Sequence, residues 1–118
     1  MGKLAELSRE LLRHSPQLNF NAIEVGAMPI PGHPEPIHAL LNLFSGSTLY
    51  AFEPDQEMCE QLNASSPANI RYIPKALGAS NTQATLYKTE NRSCYSLYQP
   101  NEAFCGLYRG MESMQTIG

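Results

Sequence analysis

Basic residues are few in this sequence. Eight Lys and Arg stand against eleven Asp and Glu, for a formal net charge of −3. The eight are scattered, so no basic stripe exists to neutralise a phosphate backbone, and a nucleic-acid partner is not expected. Long apolar runs are also missing. None approaches the roughly 20 residues that span a bilayer, so no membrane partner is expected either. The N-terminus lacks the charged, apolar, small-residue order of a signal peptide, which makes a cytoplasmic location the expectation. Cysteine is scarce. Cys59, Cys94 and Cys105 are odd in number and widely spaced, a poor disulfide framework. They are an equally poor zinc site, because no close pair exists and His14, His33 and His38 lie far upstream. Each cysteine reads as a small apolar residue, and no metal is expected.

What remains is ordinary for a folded domain. A hydrophobic content of 42% with 16% charge fits a soluble globular chain, and 118 residues suffice for one modest core. Residues 3–14 place Leu4, Leu7, Leu11 and Leu12 at helical spacing with charge opposite, and Pro16 stops the pattern. This predicts an amphipathic helix, residues 1–17, packed on a domain that runs from 18 to 118. Phe20, Ile23 and Val25 lead into Gly26 and read as a short buried strand. Prolines 29, 31, 34 and 36 with Gly32 then impose a stiff loop. Pro36 suits a first helical turn, and Ile37, Leu40, Leu41 and Phe44 supply the i, i+3, i+4, i+7 stripe.

Residues 48–52 (TLYAF) form the second predicted strand, with Pro54 and Asp55 opening a helix whose inner face is Met58, Cys59 and Leu62. A third strand is expected over 70–76, interrupted by Pro74, and a fourth over 83–88, antiparallel to the third. Strand–helix–strand alternation implies a parallel sheet with right-handed crossovers. Pro74 lacks a ladder N–H, which places the third strand at an edge. The fold class expected is therefore α/β, a truncated Rossmann-like sheet of parallel strands with one antiparallel strand after the third.

Open α/β sheets bind ligands at the carboxyl ends of their strands. Glu24 and Gly26 end the first strand, Glu53 ends the second, and Ala76 and Leu77 end the third. Gly26 permits a sharp turn and close ligand approach. Glu53, with two acceptor oxygens, is equipped to grip both hydroxyls of a ribose. The competing role for Glu53 is to cap the next helix, although Asp55 is the better cap. Ala76 and Leu77 offer an apolar wall and a backbone N–H to a purine. The turn G-A-M-P-I-P-G lacks the second glycine of a dinucleotide fingerprint, and no G-K-[ST] occurs. A site poor for phosphate but suited to adenosine points to S-adenosylmethionine. His33 and His38 read as a solvated loop residue and a helix-surface residue. Tyr95 and Tyr98 read as packing residues.

The runs IEVGA (23–27), LYAFEPD (49–55) and IRYIPKALGASNTQATLY (70–87) resemble the FkbM-type S-adenosylmethionine-dependent methyltransferases. The stretch around Ser93, Ser96 and Leu97 is similar too, so the resemblance covers about residues 18–98. It implies that Glu24, Gly26 and Ala27 face the methionine half of the cofactor. It implies that Glu53 holds the ribose with Phe52 and Pro54 beside it, and that Ala76 and Leu77 border the adenine. The implied reaction is methyl transfer to a hydroxyl of a small acceptor, a sugar or polyketide, with alignment and desolvation as the protein's contribution. Two features depart from the family. The first turn carries Met28, Pro29, Ile30 and Pro31 before Gly32, and the family's downstream D-x-E-G motif is absent, Asp55 being the sole aspartate. The expectation is therefore the cofactor half of a methyltransferase, a truncated or partial chain. The alternative is a catalytically inactive, methyltransferase-like binding or interaction module. An exposed sheet edge would favour its self-association.

Overall fold

The structure is a computed structural model, and it describes residues 2–117. These form two compact units, residues 2–77 and residues 78–117. The first unit holds α1 (Gly2–His14), β1 (Asn21–Val25), α2 (Pro36–Leu43), β2 (Thr48–Phe52), α3 (Gln56–Ser65) and β3 (Ile70–Ile73). The three strands form one open parallel sheet in the order β1-β2-β3. The first unit is thus a small α/β structure, compatible with a truncated Rossmann-like sheet.

The register sorts the strand residues onto two faces. Ala22, Leu49 and Ile70 lie abreast, as do Glu24, Ala51 and Tyr72. This face meets Ile37 and Leu41 of α2 and Cys59 and Leu62 of α3, so both crossover helices share one side of the sheet. Leu49 and Ala51, on the central strand, are completely buried. The other face carries Ile23, Tyr50 and Arg71 abreast, then Val25, Phe52 and Ile73. The Arg71 guanidinium lies 6.0 Å from the Tyr50 ring centroid.

The starts of the helices follow from local chemistry. Pro36 occupies the first turn of α2, where its missing N–H costs nothing. Asp55 caps α3, its carboxylate accepting from the Met58 N–H at 3.1 Å. At the opposite end of α3, the Asn63 side chain ties the helix to β3 through two hydrogen bonds with Tyr72, donating to its carbonyl and accepting from its N–H, each 2.9 Å.

Four expectations are corrected. β1 is not a buried strand, since Ile23 and Val25 are 67% and 63% exposed. With both helices on the other face, nothing in the crossover pattern covers these two side chains. The apolar stripe of α1 also faces outward: Leu4, Leu7 and Leu11 are exposed, while Ser8 is buried with its hydroxyl donating to the Ala5 carbonyl at 3.0 Å. β3 ends at Ile73, before Pro74, where the Lys75 N–H turns back onto the Ile73 carbonyl at 2.8 Å. Lastly, no antiparallel strand forms over residues 83–88. Residues 78–117 contain single 3-10 turns at Arg92–Cys94 and Glu112–Met114, α4 (Glu102–Cys105), and isolated bridges Tyr87–Ser96 and Thr89–Thr116. Residues 83–85 are polar or small and exposed, and Leu86 and Tyr87 are adjacent, so no alternating apolar face exists to hold a strand.

No described helix is long and apolar enough to cross a membrane.

Candidate functional site

The carboxyl ends of β1 and β2 come together through the backbone. The N–H groups of Gly26 and Ala27 both donate to the Phe52 carbonyl, at 2.9 and 3.1 Å. Gly26 takes φ +70°, the left-handed turn that a glycine makes without penalty. Ala27 is buried beneath it in the core cluster. Glu24, Gly26 and Ala27 are thereby gathered beside Phe52, Glu53 and Pro54, the first two of the three predicted strand-end groups. Ala76 and Leu77 lie in the exposed segment after β3 rather than on a strand.

Glu53 is 3% exposed. Its Oε1 accepts from the Asp55 N–H at 3.0 Å, and its own N–H donates to the Ile73 carbonyl. It therefore holds the turn into α3 while Asp55 provides the cap, as the relative merits of the two side chains predicted. The Cys59 thiol donates to the Glu53 carbonyl at 3.1 Å. Burial first, then the charges of Glu53 and Asp55, push the thiol above its ordinary range and keep it protonated.

Among the described residues, the first unit has clefts at both ends of the sheet. One, about 350 Å³, is lined by Leu12, Leu18, Leu43 and Ser45 near the amino ends of β1 and β2 and has no titratable side chain. The other, about 260 Å³, opens at the carboxyl end of β1 under the proline loop. Its walls are Pro29, Ile30, Pro34 and the Tyr72 ring, and its polar groups come from Glu24, His33, Glu35 and His38. The strand-end rule and the chemistry both favour this second cleft.

Glu24 projects from the helix-covered face, its side chain 17% exposed. Burial is the main cause raising its carboxyl above the usual 4.5, the charge of Glu35 adds to this, and His38 opposes it. His38 Nε2 stands 3.9 Å from Glu24 Oε2. That nitrogen is buried and has no hydrogen-bond partner. His38 lies on the surface of α2 as expected, its side chain 37% exposed although Nε2 itself is buried, and His33 is exposed in the loop as expected. His38 follows Ile37 on the rim of the α2 stripe, and Glu24 shares the strand parity of Ala22 and so points inward.

Elsewhere, Tyr98 is exposed rather than packed, whereas the Tyr95 ring lies 5.8 Å from Lys88 Nζ. Cys59 and Cys105 are buried, Cys94 is half-buried, and all three are free thiols. Among the described residues, no group of three His, Cys, Asp or Glu side chains is disposed to hold a metal ion. Compared with protein-family models, with curated proteins and with solved structures, the chain matches none.

Proposed function

We propose that the first unit is the nucleoside-binding half of an S-adenosylmethionine-dependent O-methyltransferase of the FkbM type. The observation that supports this reading is the join at the carboxyl ends of β1 and β2. There Gly26 in its left-handed turn is bonded to Phe52, the residue before Glu53. Parallel strands in the order β1-β2-β3 are the first half of such a sheet. Glu24 and Ala27 would face the methionine moiety, and Ala76 and Leu77 would border the adenine. Glu53 would offer the ribose the oxygen that does not accept from Asp55. The acceptor would be a small hydroxyl compound, and the site of action the cytoplasm.

Calorimetry with S-adenosylhomocysteine tests the reading. Saturable binding is expected, and its absence at millimolar ligand would sink the cofactor assignment. Glu53→Ala should abolish binding. Glu53→Gln keeps an acceptor for the Asp55 N–H, so it should preserve the thermal midpoint while weakening affinity. A Glu53 that serves only the turn would leave affinity unchanged in Glu53→Gln.

A second reading, an inactive methyltransferase-like interaction module, is favoured by one observation. Among the described residues β1 pairs with β2 alone, and its outward side chains Ile23 and Val25 are exposed. An edge of this kind pairs with further strands, including those of a second copy.

A further inference from the structure

We draw no further inference here: the strongest candidate, the outer edge of β1 with its exposed Ile23 and Val25, unpaired among the described residues, carries nothing beyond the second reading above, because nothing in the structure shows what covers it.

Discussion

Gly26 holds its left-handed φ of +70° with no heavy atom within 4 Å of where a Cβ would stand. Any cost of a side chain there is therefore backbone strain and not collision. Gly26→Ala should lose about 1–2 kcal/mol of stability, and Gly26→Asn less, because Asn tolerates this region. Urea unfolding would show it as a lower midpoint with an unchanged slope. Glu24 is the opposite case, a residue whose removal should help. Its carboxyl is raised by burial and by Glu35, so the folded chain holds the proton more tightly than the unfolded chain. Stability from this group is then full at acid pH and declines as pH rises past its ordinary value through the raised one. Glu24→Gln should raise the melting temperature by a few degrees at neutral pH, and the gain should shrink toward zero in acid. A gain that stayed constant with pH would show that ionisation of Glu24 is not its source. A side chain that costs stability at the mouth of a cleft is what a binding role predicts.

Among the elements, α3 is the one most visibly built by its terminal residues. Asp55→Ala removes the acceptor for the Met58 N–H and should destabilise by about 1 kcal/mol in the same urea assay. An unchanged midpoint would mean that the turn bonds of Glu53 suffice alone. Elements whose signals are local were legible in the sequence. TLYAF matches β2 to the residue, Pro36 opens α2, and Asp55 caps α3. What failed depended on neighbours that a pattern does not name. The leucines of α1 have helical spacing, yet spacing says nothing of which face finds a partner. Pro74 was rightly placed at an edge, but its missing donor also ended the strand, so the segment after it had no ladder to join. The strand-end residues Glu24, Gly26 and Glu53 were found by position. The meeting of Glu24 with His38 was not, because it depends on the height of α2 above the sheet, which no residue in the proline loop encodes on its own.

In the first unit, α2 and α3 crowd one side of the sheet and leave β1 half-open. Its edge carries no proline, lysine or bulge, and its guards against pairing are its short length and the inward charge of Glu24. Ile23→Lys should therefore reduce any self-association seen by sedimentation while leaving the unfolding free energy within about 0.5 kcal/mol of wild type, since Ile23 is mostly solvated. Loss of the fold in that variant would instead show Ile23 to be part of the core.

The ladder between β1 and β2 fixes which β1 groups are spoken for. Thr48 donates to Phe20, and Gly26 donates to Phe52. The residues between them alternate, so the amides of Ala22 and Glu24 turn toward β2 and those of Asn21, Ile23 and Val25 turn away. Deuterium uptake along this strand should then have a period of two, slow and fast at successive residues within one element. A partner that adds a strand would slow the fast set and erase the alternation. A partner seated only on the side chains of Ile23 and Val25 would leave the alternation intact. The timing of five neighbouring amide protons would thus report how a visitor is held.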